Sequence, residues 1–263
     1  MKSMYRACLF GLIIAAYLSA SVAWSADKKS VLLNTNQALY NLKAHGLDGF
    51  NCNVVVDWDA AFNSLKVESE MRENLLPNAR NMKVKVTVGP SGAASVSHEF
   101  GQAPSSQQVA DRLRQLAEGL DQILGGFFQT WSQLMINTPL AGSESAYQME
   151  ETADGYRLLA DDGNTHVVVS INRDFVIYAI EAKTPAVEGV VRPHFITHEG
   201  GLIVDSYVGE FKINDSSQRL SVDVRYQDIG TFVLPRSINV SMVLPQGQLN
   251  WPMTLDGCQV KQK

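Results

Sequence analysis

The sequence predicts a protein of the α+β class, in which an antiparallel sheet packs on helices near the N-terminus and in the middle of the chain. Three observations support this prediction. A single apolar stripe at helical spacing covers about residues 107–136. Before that helix, several segments alternate apolar and polar residues with the period of two that is typical of strands. From Ser143 onward, short apolar segments alternate with Gly, Asn, Asp and Pro turn signals, which indicates an antiparallel meander.

The N-terminus has the features of a secretory signal peptide in their usual order. Lys2 and Arg6 precede an uncharged, mostly apolar run over residues 7–18, and small residues follow up to Ala26. Cleavage after Ala23 or after Ala26 fits this pattern, and an uncleaved membrane anchor is the alternative. The apolar run is shorter than the roughly 20 residues that a spanning helix needs. We therefore expect the signal peptide to be removed and the protein to be exported to a periplasmic or extracellular location.

Removal of residues 1–26 leaves residues 27–263, which we expect to form a single β-rich domain. Loss of Lys2 and Arg6 leaves 20 basic residues against 27 acidic ones and moves the net charge from −5 to −7. The basic residues are scattered along the chain rather than clustered. This distribution argues against a nucleic-acid partner, whose binding depends mainly on phosphate neutralisation, and against a polybasic membrane patch.

Two cysteines remain after the predicted cleavage, Cys52 and Cys258, one near each end of the domain. An oxidising compartment favours a disulfide between them, and two buried free thiols are the alternative. The bridge would close a loop of about 200 residues and remove on the order of 5 kcal/mol of unfolded-state entropy. It also requires the first and last strands to lie close together. The spacing gives no support to a Cys-x-x-Cys redox role.

The first half of the domain mixes helices and strands. We expect a helix over residues 29–45, a strand over residues 50–58, a helix over residues 59–77 that ends at Pro77, and a hairpin over residues 82–98. The long helix at about 107–136 follows, with Ser106 as its cap. Its apolar positions are Val109, Leu113, Leu116, Leu120, Ile123, Phe127, Trp131 and Leu134.

The sequence predicts only strands and turns for the second half of the domain. A loop is predicted around Pro185 and Gly189. The expected strands are Tyr147–Glu151, Tyr156–Leu159, His166–Ile171, Phe175–Ala182, His194–Thr197, Leu202–Ile213, Arg219–Gln227, Phe232–Val243 and Trp251–Val260.

Residues that could support catalysis or metal binding are dispersed. His194 and His198 are four residues apart, but the segment is predicted to be extended, which places their Cα atoms about 13 Å apart. The carboxylate pairs at 150–151 and 161–162 lie beside turns, and adjacent strand residues face opposite sides of a sheet. No nucleophile has a base and an orienting partner in the pattern. The sequence therefore predicts no catalytic residues, no metal site and no cofactor, and favours a protein that is not an enzyme.

The C-terminal part of the long helix carries the most suggestive feature. Its apolar stripe widens there, so this end must bury more than one face. One interpretation is a core helix whose side chains fill the interior of a curved sheet. The alternative interpretation is an apolar, ligand-binding cavity between helix and sheet, in which the flexible Met side chain adapts to an irregular ligand. Gly125 and Gly126 interrupt the stripe, which indicates close packing or a kink. The candidate ligand-binding residues are Phe127, Phe128, Trp131 and Met135.

The order of elements resembles the periplasmic outer-membrane lipoprotein carrier and sorting family, the LolA/LolB type. The closest stretch comprises Val224-Arg-Tyr226, Gly230 and residues 232–240, followed by residues 249–260, which are similar to the late hairpins of that family. The resemblance implies a curved sheet that forms a half-barrel or unclosed barrel around helices, with an apolar cavity for acyl chains. The length of the helix at 107–136 and the two distant cysteines depart from that pattern.

Three functions follow as expectations. The first is a non-catalytic envelope protein that binds or carries an apolar ligand, such as a lipid or the acyl chains of a lipoprotein, in a cavity between sheet and helix. The second is a structural or interaction protein of the bacterial envelope with a filled core. The third is a hydrolase whose site is assembled from distant residues, which would need His194, His198 and an acidic residue to converge. The pattern gives no oligomeric state.

Overall fold

In the described part of the chain, the protein folds into an unclosed antiparallel sheet of twelve strands with four α-helices. The computed structural model describes residues 26–65, 68–101, 106–137, 140, 144–161, 163–213, 216–244 and 247–263. The signal peptide predicted for residues 1–26 lies outside this part of the chain, apart from Ala26. No helix among the described residues is both long enough and apolar enough to cross a membrane.

The helices lie mainly in the first half of the chain. They are α1 (Lys28–Ala38), α2 (Trp58–Leu65), α3 (Ser69–Arg80) and α4 (Gln107–Met135), and a short 3-10 turn covers Glu144–Ala146. The Asp27 carboxylate caps α1 by accepting a hydrogen bond from the Ser30 amide at 2.8 Å. The Ser106 hydroxyl caps α4 in the same way, through the Val109 amide at 3.3 Å. The predicted cap of the long helix is therefore confirmed.

The strands occupy the segments that the alternating pattern indicates, with longer boundaries at most ends. They are β1 (Leu47–Val56), β2 (Lys83–Val88), β3 (Ala94–Glu99), β4 (Gln148–Thr152), β5 (Gly155–Asp161), β6 (His166–Asn172), β7 (Ile177–Lys183), β8 (Val187–His198), β9 (Gly201–Ile213), β10 (Ser216–Ile229), β11 (Phe232–Leu244) and β12 (Gly247–Gln262).

The sheet order is β3-β2-β1-β12-β11-β10-β9-β8-β7-β6-β5-β4. Strands β4 to β12 form one continuous meander, and β12 then pairs with β1. The two edge strands, β3 and β4, are consecutive in sequence, and α4 connects them. The predicted α+β class with a curved, unclosed antiparallel sheet is confirmed.

A disulfide joins the two strands at which the ends of the chain meet. Cys52 on β1 is bonded to Cys258 on β12, at a sequence separation of 206. Gly257 precedes Cys258 at a register irregularity with φ 54°, a conformation that favours glycine. The predicted pairing of the two cysteines is confirmed, and so is the proximity of the first and last strands.

One face of the sheet carries the core, which has two parts. The larger part lies between helices α2, α3 and α4 and the strands β9–β12 and β1–β3. We call these seven strands the half-barrel. The smaller part lies under α1 and is formed with β5, β6 and β7. Ile180 and Phe195 pack against both parts and connect them.

Three local predictions were wrong. The first helix, predicted to reach residue 45, ends at Ala38, and Leu39 instead forms an isolated bridge with Leu202 of β9. Pro77 lies inside α3 rather than at its end. A proline removes one backbone donor, but the helix continues for only three more residues, with Ala79 buried and the Asn78 side chain donating to the Asn74 carbonyl at 2.9 Å. Gly189 lies within β8 rather than in a loop, because the Phe211 ring packs where a Cβ atom of Gly189 would be, 2.5 Å away.

Candidate functional site

The long helix α4 lies inside the half-barrel and runs antiparallel to β3. Asp121 lies beside His98 near the end of β3, whereas Ser132 contacts Gly92 before that strand begins. On its other side α4 contacts β9. The helix therefore occupies the gap that the unclosed strands leave between β3 and β9, with its apolar stripe toward the interior.

The four candidate ligand-binding residues all lie in the core of the half-barrel. Phe127 is 2% exposed, and Phe128, Trp131 and Met135 are fully buried. The Phe128 and Trp131 rings are in edge contact at 5.9 Å, and the Phe50 ring of β1 lies 6.0 Å from Phe128 and 6.1 Å from Trp131. The structure thus brings the four residues together and packs them against the sheet, as the core-helix interpretation requires. Contact with a ligand at these residues stays a prediction.

A buried polar contact fixes the tryptophan. The Trp131 indole N–H donates to the Tyr226 hydroxyl at 3.1 Å, and that hydroxyl donates to the Val204 carbonyl on β9. Burial raises the pKa of Tyr226 and of the neighbouring Tyr207, so both phenols remain protonated at neutral pH. Neither tyrosine is among the site residues predicted from the sequence, and Tyr226 appears there only in the stretch that resembles the LolA/LolB type. Their inward positions on β9 and β10 follow the period of two, but their pairing with α4 depends on the sheet order.

The C-terminal end of α4 is also tied to the loops around it. The Ser132 hydroxyl donates to the Gly92 carbonyl at 2.8 Å, and the Asn137 amide group donates to the Ser91 carbonyl at 2.9 Å. The Leu42 amide donates to the Met135 carbonyl at 2.8 Å. A Cβ atom at Gly92 would lie 2.5 Å from the Ser132 Cβ, so this turn approaches the helix closely. These contacts hold the end of the helix that carries the candidate residues.

The N-terminal half of α4 has fewer polar contacts with the sheet. His98 Nδ1 and Asp121 Oδ1 are 3.8 Å apart, and both atoms are buried without a hydrogen-bond partner. Burial is the main cause of the raised pKa of Asp121, and the nearby Glu118 adds to it, whereas His98 opposes it. A groove of about 220 Å³ opens between α3 and the first turns of α4, with Leu75 and Val109 among its lining residues.

A larger groove lies on the opposite, helix-free face of the sheet. Its volume is about 1230 Å³, and it crosses β5 to β11. Val168 and Ser170 are among its lining residues and are 4% and 5% exposed, and its lining includes no residue of the four helices. Its rim carries cross-strand ion pairs, such as Arg192 with Glu210 at 3.0 Å and Lys183 with Glu188 at 3.4 Å. The lining carries five Lys and Arg side chains against three Glu side chains, and ion pairs between them offset most of this charge.

His194 and His198, which the sequence predicts to lie apart on an extended segment, have different partners. His194 Nδ1 lies 2.6 Å from the Asp205 carboxylate. His198 Nδ1 instead contacts the Glu199 carbonyl at 2.9 Å, and its ring lies edge-on to Tyr40. Across the described ranges, no group of three or more His, Cys, Asp and Glu side chains could hold a metal ion.

Comparisons with known proteins give no relatives: no family model, no curated protein and no solved structure matches this chain significantly. The resemblance to the LolA/LolB type stays a prediction. The interior of the half-barrel and the position of α4 within it are thus the basis for a functional proposal.

Proposed function

We propose that the protein is a non-catalytic binding protein of a bacterial envelope, which holds an apolar ligand between α4 and the half-barrel. The ligand class is a lipid or the acyl chains of a lipoprotein. One observation carries the proposal: in the described part of the chain, the apolar interior of the half-barrel is covered by helices α2, α3 and α4, of which α4 is the longest, rather than enclosed by a closed ring of hydrogen-bonded strands. A helix can leave such an interior without breaking strand pairing, whereas a strand cannot.

Chemistry favours acyl chains over smaller apolar ligands. The buried residues of α4 are aliphatic or aromatic from Leu113 to Met135, apart from Ser132. A ligand that replaces part of the helix must therefore be long and apolar. Burying each CH₂ group is worth about 0.8 kcal/mol, so one long chain suffices for reversible binding.

A second candidate is an interaction protein of the envelope with a permanently filled core. The complete burial of Phe128, Trp131 and Met135 favours it, because a packed helix of this kind also stabilises a sheet that never opens. In that case the partner-binding surface would be on the outer face of the sheet.

The experiment that separates the two is native mass spectrometry of the protein purified gently from an envelope extract, followed by organic extraction. A stoichiometric lipid or acylated peptide supports the carrier proposal and gives the class of its ligand. A bare mass, combined with no uptake of a 16-carbon fatty acid by the purified protein, contradicts it and favours the interaction protein.

A further inference from the structure

Strands β1 and β2 separate at one end and leave a slot in the sheet. Their pairing ends at Val54 of β1, which lies opposite Val84 of β2, although β1 continues to Val56. Helix α2 follows β1 at this end and helix α3 precedes β2, so both chains leave the sheet here. The slot has a volume of about 550 Å³, which is within the usual range of ligand sites in proteins.

The slot reaches the apolar core and borders an unpaired length of main chain. Five of its lining side chains belong to the core and are each 4–7% exposed: Val54, Val56, Trp58, Met82 and Val84. Val55, which also lines the slot, is 53% exposed. Beyond Val54, β1 pairs with β12 on one side and has no strand opposite it on the other. An unpaired strand edge of this kind can accept another extended chain.

The charged residues of the slot favour an anionic group at its closed end. Arg80 and Lys83 belong to the lining, against the single carboxylate of Asp256. Arg80 forms an ion pair with Asp59, whereas Lys83 forms no ion pair with any residue that the structure describes. Lys83 directly precedes Val84, where the two strands begin to pair, so its positive charge lies at the closed end. An extended chain that enters the slot cannot pass the paired strands and must end there.

We infer that the slot binds the C-terminal end of an extended peptide from a partner protein. The free carboxylate of the peptide meets Lys83, its last apolar side chain packs on the buried residues of the slot, and its main chain pairs with β1 beyond Val54. A peptide N-terminus is disfavoured, because its ammonium group would meet the same lysine. The lining of the slot includes no residue of α4, so the inference does not rest on the function proposed above.

The test is selection from a library of hexapeptides that have free C-termini and random residues at the last three positions, with the full protein immobilised. The selected peptides should end in an apolar residue. Fluorescence polarisation then gives their affinities. The same peptides with a C-terminal amide should bind at least about tenfold more weakly, because the charge-assisted hydrogen bond of the carboxylate is lost.

The substitution Lys83→Met removes the charge at the closed end and keeps the length of the side chain. It should weaken peptide binding about tenfold. Lys85→Met is the matched control, because Lys85 is an exposed lysine of the same strand that lies outside the lining, and it should leave the affinity unchanged. Far-UV circular dichroism checks that both variants fold. Equal effects of the two substitutions, or a selection without preference for apolar residues and free C-termini, overturn the inference.

A 16-carbon fatty acid separates this inference from the proposed function. The fatty acid should bind under α4 and leave the affinity for the peptide unchanged. If it displaces the peptide, the slot takes a lipid carboxylate and its assignment to a peptide is wrong. If the peptide binds as expected but no fatty acid is taken up, the slot stands and the proposed function is contradicted.

Discussion

The disulfide between β1 and β12 provides the sharpest test of the fold. Replacing Cys52 and Cys258 together by alanine removes a cross-link that spans 206 residues of sequence. In the loop-entropy model, a loop of this length corresponds to about 18 cal/mol/K of unfolded-state entropy, or about 5 kcal/mol at 25 °C. A domain is usually stable by only about 5–15 kcal/mol, so the double variant should lie close to unfolding.

The measurement is equilibrium unfolding in urea, followed by far-UV circular dichroism. The double variant should lose about 3–5 kcal/mol of unfolding free energy, at the upper end if the native strands pair equally well without the bond. Wild-type protein kept reduced is the control, since it has the same backbone without the cross-link and should lose about as much. A loss below about 1 kcal/mol in both would refute the reasoning, because it would mean that the β1–β12 pairing does not hold a long loop closed.

Further substitutions test the core, the contact between His98 and Asp121, and one turn, each by unfolding in urea. Trp131→Ala should cost about 3–5 kcal/mol and Trp131→Phe about 1–2 kcal/mol, because phenylalanine keeps the packing but loses the hydrogen bond; equal costs would contradict the filled core. Asp121→Asn should stabilise the protein at pH 7 by less than about 1 kcal/mol. Burial raises the pKa of Asp121, so its ionisation destabilises the fold as pH rises, and the difference should vanish below the ordinary value of 3.8. Gly155→Ala should cost at least about 2 kcal/mol, because its Cβ would lie 2.0 Å from the Ile171 carbonyl oxygen, whereas Gly163→Ala, in open space, should cost less.

The sequence predicted the elements well where one periodicity extends over many residues. The apolar stripe of α4 and the alternation in β1 and β2 each arise because one face of the element is buried, so the spacing of apolar residues reports that burial. The pairing of Cys52 with Cys258 was accessible because only two cysteines remain after the predicted cleavage. Pro77 and Gly189 were misplaced because tertiary packing overrides the local preferences of proline and glycine. Burial of Ala79 in the core extends α3 past Pro77, and the Phe211 ring packs against Gly189.

The candidate site was predictable only in part. Phe127, Phe128, Trp131 and Met135 share a face of α4, and the helical period alone gives that result. The partner of the helix was not predictable, because Tyr226 and Trp131 are 95 residues apart and meet only when β1 pairs with β12. Side chains that meet through sheet order leave no local signal in a single sequence.

The filled interior also sets a lower limit on the length of the acyl chain that the protein can bind. A ligand that displaces the N-terminal half of α4 from the half-barrel must replace the burial of Leu113, Leu120 and Leu124. This burial is worth about 1.5–3 kcal/mol for each leucine, and so about 4.5–9 kcal/mol in total. An acyl chain regains about 0.8 kcal/mol per CH₂ group, so about 6 to 11 methylenes are needed to replace the three side chains. Chains of about eight carbons should therefore bind poorly, and chains of 16 should bind well. A protein that bound both equally would not be using the space under α4, since only that space relates affinity to chain length through displaced leucines.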